Sequence, residues 1–268
     1  MSGSVWITGA SSGIGRALAL AWSQAGEPVI LSGRNVDALE ATAAECASDT
    51  LILPFEATNR AAMEEAVEQA KAWQDGVGTL VNNAGISQRS RAINTRLSVY
   101  QHIVDIDLMA PIALTQALLP HMVERGSGRL VFISSIAGKV GVPMRSAYCA
   151  AKHGLIGYAD TLRAELSQSG VDVHVVAPGS VATDVSRNAL SGSGAARGRS
   201  DKVIDNGIPP AEAALAILDA IGRGEREIIV ARGVEEQMGE ARRTEDAMFD
   251  QMAAMVASGY MEKMEAED

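Results

Sequence analysis

The sequence predicts a doubly wound α/β fold, a single parallel sheet with helices on both faces. Three observations carry that expectation. Short apolar runs alternate along the chain with longer amphipathic stretches, the rhythm of repeated strand–helix units. The first apolar run passes through a glycine-rich turn directly into a helical pattern. Most of the polar and glycine residues suited to chemistry fall where predicted strands end, the edge at which open α/β sheets hold ligands.

The chain has 268 residues, of which 47% are hydrophobic and 21% charged, enough for one large domain with a sizeable core. A net charge of −10 argues against a nucleic-acid surface, because phosphate contacts need a basic face. Cys46 and Cys149 give neither a disulfide framework nor metal-ligand spacing, and the four histidines are scattered, so no metal site is expected. No basic leader or 18-residue apolar run is apparent, so a cytoplasmic location with no membrane partner is expected.

Val5-Trp6-Ile7 reads as a buried strand and feeds Thr8-Gly9-Ala10-Ser11-Ser12-Gly13-Ile14-Gly15. A helix follows, with Ala17, Leu18, Leu20 and Ala21 on its apolar side. Glycines in such a turn let backbone N–H groups approach a pyrophosphate, and the helix N-terminus favours its charge. A second strand at 29–31 ends on Gly33 and Arg34 and precedes a helix over 36–47. A third at 51–53 is followed by Glu56 and a helix over 60–73. A fourth at 79–81 leads into Asn82-Asn83-Ala84-Gly85. A long helix over 97–124 should bend at Pro111. A fifth strand at 129–133 ends on Ser134 and Ser135, and a helix over 147–167 carries Tyr148 and Lys152. A sixth strand at 171–176 is stopped by Pro178-Gly179.

Residues 185–209 are rich in Gly, Ser, Ala and Arg and read as a flexible solvated loop, with Arg187, Arg197, Arg199 and Lys202 available to an acidic ligand. A helix near 211–221 and a last strand at 228–230 complete the main domain, residues 1–231. Residues 232–268 form a helical extension, in which Met248, Phe249, Met252, Met255 and Val256 make an apolar stripe read as packing rather than as a lid.

Tyr148 and Lys152 are four apart and so share one helix face. A free phenol titrates near 10, and an ammonium about 5 Å away favours the phenolate by roughly 3 kcal/mol at an effective dielectric of 20. Such a pair suits proton transfer to or from an alcohol–carbonyl couple, and Ser135 can hydrogen-bond the same oxygen.

Together, the glycine turn Thr8–Gly15, Asn82-Asn83-Ala84-Gly85, Ser135, Tyr148/Lys152 and Pro178-Gly179 resemble the ordered motif set of short-chain dehydrogenases/reductases over about residues 4–231. The stretch 134–154 resembles the dehydrogenase/reductase member 7 branch. The resemblance implies a Rossmann sheet of strand order 3-2-1-4-5-6-7 and hydride transfer between a nicotinamide cofactor and a small carbonyl or alcohol. It implies Tyr148 as general acid/base, Lys152 as its aid and ribose ligand, and Ser135, rather than Ser134, as the residue that positions the substrate oxygen. It places Gly9, Ser11, Ser12, Gly13, Ile14, Gly15, Asn82, Ala84, Gly85, Pro178, Gly179 and Val181 around the cofactor, with Thr183 on its carboxamide and Glu56 near the adenine. A homodimer or homotetramer is expected on the same ground. Asp107 departs from the pattern, standing where the family usually has a catalytic asparagine.

Cofactor choice follows from charge. A free ribose 2′-hydroxyl is read by an acid at the end of the second strand, whereas a 2′-phosphate wants an arginine. Arg34 with no acid before Asp37 predicts NADP(H), with NAD(H) left open. A cofactor-binding regulator without turnover and an isomerase or dehydratase on the same scaffold are the alternatives.

Overall fold

The computed structural model of the protein describes residues 3–265. Its seven parallel strands are β1 (Ser4–Thr8), β2 (Val29–Ser32), β3 (Thr50–Ile52), β4 (Val77–Asn82), β5 (Gly128–Ile133), β6 (Val171–Pro178) and β7 (Glu227–Val230). They lie in the order β3-β2-β1-β4-β5-β6-β7, as expected. Consecutive residues of each central strand face opposite sides, so the apolar runs divide between two cores. Trp6, Ile30, Leu80, Leu130 and Phe132 enter one core, beneath α3 (Arg60–Ala72), α5 (Ala110–Arg125) and α6 (Ser146–Glu165). Val5, Ile7, Leu31, Val81 and Val131 enter the other, beneath α1 (Gly13–Gln24), α2 (Val36–Glu45) and α8 (Pro210–Gly222). In the first core the Trp6 indole N–H donates to Ser32 Oγ at 2.8 Å.

The order in which strands are added to the sheet reverses between β1 and β4, and a cleft opens there at the carboxyl ends of the strands.

The long helix differs from expectation. It is split into α4 (Leu97–Val104), a π-helical turn (Asp105–Met109) and α5, so the break precedes Pro111. Pro111 sits in the first turn of α5, where a missing N–H costs little. The distortion serves the residues before it: a wider π turn carries Asp107 to a completely buried position. The stretch Leu97–Arg125 also contains an 18-residue window of mean hydropathy 1.4, which corrects the reading that no such apolar run exists. Half of that window is buried, with Ala110, Ala113, Leu114 and Leu118 in the first core.

Between β6 and α8 the chain is irregular apart from α7 (Lys202–Asp205). After β7 it is helical: α9 (Val234–Glu240), α10 (Asp246–Ala257) and α11 (Tyr260–Glu265). Phe249 and Val256 are buried and α10 packs along α6, with the Arg163 guanidinium 4.2 Å from the centre of the Phe249 ring. Met248 and Met255 face solvent, so only part of the predicted apolar stripe is covered.

Candidate active site

The cleft has a volume of about 460 Å³. Strand ends bring its walls together from across the sequence: Thr8 to Ile14 after β1, Arg34 after β2, Glu56 after β3, Asn82 to Ser87 after β4, Ser134 and Ser135 after β5, and Pro178 to Val185 after β6. From the other side come Asp107 and, on α6, Tyr148 and Lys152. Every predicted site residue except Gly15 lines it. Gly15 lies beneath the turn instead. A Cβ there would come within 2.4 Å of the Gly9 carbonyl and of Asn83 Nδ2, so its role is close helix–strand packing.

The glycine turn is built for an anion. Ser12 caps α1 with extended backbone and makes no side-chain cap bond, which leaves the first N–H groups of α1 open to the cleft side. Gly13 holds φ +54, a left-handed conformation that favours glycine, and a Cβ there would press within 3.0 Å of Thr183 Cγ2. Thr183, from the segment after β6, therefore closes over the turn.

Of the two asparagines at the end of β4, Asn83 secures the turn. Its Nδ2 donates to the Thr8 carbonyl at 2.8 Å, while the N–H groups of Asn83 and Ala84 both donate to Thr8 Oγ1 at 3.0 Å. Asn82 is buried and donates to Thr115 Oγ1 at 3.0 Å, anchoring β4 to α5. Arg34 and Glu56 form an exposed pair at 3.6 Å, at the lip where β2 and β3 end.

The two serines after β5 separate clearly. Ser134 Oγ donates to the Lys152 carbonyl at 3.0 Å and is buried, a structural bond that fixes α6. Ser135 accepts from the Ala137 N–H at 3.1 Å and reaches the Pro178 carbonyl only at 3.4 Å. Its hydroxyl proton is thus weakly held and faces the cleft.

Lys152 is buried. Its ammonium donates to the Ile133 carbonyl at 3.0 Å and lies 5.7 Å from the centre of the Tyr148 ring. It also stands 3.4 Å from Asp107 Oδ2. At that separation the contact is an ion pair with poor hydrogen-bond geometry, and Oδ2 has no hydrogen-bond partner among the described residues. Asp107 Oδ1 accepts from the Ile86 N–H at 2.8 Å. Burial pushes the Asp107 carboxyl above the usual range, with the Lys152 charge and the Ile86 N–H opposing it. Gly85 is what allows this approach, since a Cβ there would meet Asp107 Oδ2 at 3.0 Å and Lys152 Nζ at 3.4 Å.

The individual roles of several contributors were not legible in sequence. Gln88 is fully buried and its Oε1 accepts from the Ala147 N–H at 3.1 Å, capping α6 from a distant loop. Glu235 on α9 accepts from Ser180 N at 2.7 Å and Ser180 Oγ at 2.8 Å, bracing the turn after β6. Arg145 and His102 also line the cleft. The segment 185–209 contributes Val185, Asn188, Leu190 and Ile204. Its Arg197 is not free for a ligand as expected, because it is bonded to Asp201 at 2.5 Å, and Asp201 also takes Arg89. None of residues 248–256 lines the cleft.

The Asp201 cluster has a measurable consequence. Burial alone would raise its carboxyl, but hydrogen bonds from Arg89, Arg197 and Ser186 outweigh that and hold it well below the usual carboxylate range. A depressed folded value means stability that is present at neutral pH and is lost as acid protonates the group. Asp201→Asn should lower the melting temperature at pH 7, and the gap to the unaltered protein should narrow as pH falls below about 4. A gap that stays flat from pH 7 to about 3 would contradict this cause.

The sequence from residue 4 to residue 193 matches the family model described as short chain dehydrogenase. The chain belongs to the short-chain dehydrogenase family. Among relatives of this dehydrogenase, a Drosophila melanogaster protein named dehydrogenase/reductase SDR family protein 7-like is 40% identical over 234 residues. That match covers 85% of this chain and 72% of the relative, in line with the member 7 branch. A short-chain dehydrogenase from Streptomyces avermitilis superposes with a TM-score of 0.79 at 28% identity, covering 98% of both chains. A short-chain dehydrogenase from Sphingobium yanoikuyae in complex with NADPH superposes with a TM-score of 0.75 at 26% identity, over 97% of this chain and 95% of the other. As a family member, this dehydrogenase binds a nicotinamide cofactor, and the glycine turn, the open N-terminus of α1 and the Gly85 approach are suited to one.

Proposed function

We propose that this dehydrogenase transfers a hydride between NADP(H) and a small carbonyl or alcohol, with Tyr148 as the proton donor and acceptor. The observation that carries the reading is the placement of the Lys152 ammonium, buried, on the Tyr148 side of one helix, 5.7 Å from the ring centre and in the same cleft as the glycine turn. The nicotinamide ring, when bound, supplies or accepts the hydride. Ser135 turns its weakly held hydroxyl proton to the substrate oxygen and fixes its position. Tyr148 O–H passes its proton to that oxygen in reduction and recovers it in oxidation. The ammonium of Lys152 favours the resulting phenolate and would hold the nicotinamide ribose when the cofactor is bound.

Cofactor consumption over a panel of aldehydes, quinones, ketosteroids, retinoid-like ketones and oxo acids tests the reading. NADPH oxidation with at least one class supports it. Binding of NADPH with no turnover on any class supports a regulator instead, and conversion without net cofactor consumption supports an isomerase or dehydratase.

The preference for NADP(H) rests on Arg34, whose guanidinium stands at the end of β2 and is 66% exposed, free to leave Glu56 for a 2′-phosphate. Arg34→Asp should turn the preference towards NAD(H), because an aspartate repels the phosphate and serves a free ribose hydroxyl. The measurement is the ratio of kcat/KM for NADPH over NADH. A ratio below one in the unaltered protein sinks the assignment.

A further inference from the structure

One cation in the cleft has no task in the chemistry above. Arg145 stands three residues before Tyr148, its guanidinium carbon 5.9 Å from the centre of the Tyr148 ring, and it lines the cleft. Its side chain forms no hydrogen bond and no ion pair among the described residues, and its buried Nε is without a partner. The neighbouring acid that could neutralise it is already engaged: Asp201 takes Arg89 through one oxygen and Arg197 through the other. The corner therefore holds three arginines against one aspartate, an excess of positive charge beside the reacting group.

Two features keep Arg145 from serving elsewhere. It occupies the N-cap position of α6, yet Gln88 caps that helix in its stead. The preceding Met144 holds φ +67, unfavourable for a side chain of its kind, and is tied down by the Ser90 N–H to its carbonyl at 3.0 Å. Burial, then the Arg89 charge, disfavour the Arg145 cation, so an anion placed against it would be correspondingly welcome.

We infer that Arg145 recognises a carboxylate on the substrate, so that the carbonyl compounds turned over are oxo acids rather than neutral aldehydes or ketones. The planar fork of a guanidinium matches a carboxylate in bidentate fashion, and the half-buried site strengthens the pairing relative to water. The features suited to the cofactor phosphates, the glycine turn after β1 and Arg34 after β2, come from other walls of the cleft, which leaves Arg145 to the substrate. This deepens the hydride-transfer reading and rests on it for the word substrate.

The test uses two aldehydes of one shape, 4-formylbenzoate and 4-methylbenzaldehyde. Calorimetric binding to the protein with excess NADP+ reads recognition without turnover, because the oxidised cofactor has no hydride to give. The unaltered protein should bind the carboxylated aldehyde at least about tenfold more tightly. Arg145→Met should level the two affinities, and Arg145→Lys, which keeps a charge but not the fork, should retain part of the preference. Equal affinities in the unaltered protein, including no detectable binding of either aldehyde, overturn the inference, as does a preference that survives Arg145→Met. NADPH oxidation with the same pair is read separately. A binding preference for the carboxylate without turnover of either aldehyde would count against hydride transfer and leave anion recognition standing.

Discussion

Tyr148→Phe should lower turnover to below about a thousandth of the original rate and leave the affinity for the cofactor almost unchanged. The substitution removes one oxygen and its proton and leaves the ring in place. Its ring packs 5.7 Å from the Lys152 ammonium and 5.9 Å from the Arg145 guanidinium, and those contacts persist with phenylalanine. The glycine turn, held by Thr8 and Asn83, is untouched, so cofactor binding measured by fluorescence should stay close to the original. Lys152→Ala differs in kind. It removes the charge near the phenol and the donor to the Ile133 carbonyl, so it should weaken both turnover and cofactor binding. A Tyr148→Phe protein that keeps a tenth of the activity would show that the proton comes from elsewhere.

Asp107→Ala is expected to be the most destabilising change in the cleft. Its carboxylate is fully buried, accepts from the Ile86 N–H, and stands 3.4 Å from a lysine that is itself 5% exposed. Removing one member of a buried pair leaves the other charge uncompensated, at a cost of about 3–5 kcal/mol. For a chain of this size that is roughly a 6–20 °C fall in melting temperature. The truncation also removes the acceptor for the Ile86 N–H and leaves a void beside Lys152, so activity should fall by more than about a hundredfold. Asp107→Asn separates shape from charge. Its amide oxygen still accepts from Ile86, and kcat/KM should change by less than about tenfold, roughly 1.4 kcal/mol. An asparagine protein as damaged as the alanine one would mean that the charge itself, rather than the bond to Ile86, maintains the site.

The division between what was readable in advance and what was not follows from the range of the interactions. Strand runs such as Val5-Trp6-Ile7 are local and periodic, and the alternation of strand and helix restricts topology strongly, so the seven-stranded sheet was legible from the chain. The glycine turn was legible too, because the need for a left-handed residue at Gly13 is written into that residue type. So was the Tyr148/Lys152 pair, because a separation of four on a helix is a distance. The choice of Ser135 over Ser134 came from family spacing, and only the bond from Ser134 to the Lys152 carbonyl explains it.

What the sequence left undetermined depends on partners far away along the chain. The resemblance gave Asp107 its position but not a reason for its charge, and the π turn that buries it against Lys152 was not expected, because a helix register shift leaves no periodic trace. The capping of α6 by Gln88 joins residues 59 apart, so the task of the neighbouring Arg145 had no local signal. The arginine-rich loop illustrates the same limit from the other side. Composition presented Arg197 as free, and only tertiary folding could show that it and Arg89 saturate Asp201 while Arg145, three residues before Tyr148, has no ion-pair partner among the described residues. Propensity and periodicity act over a turn or a strand, whereas the neutralisation of a buried charge is decided by whatever the fold brings within a few ångströms.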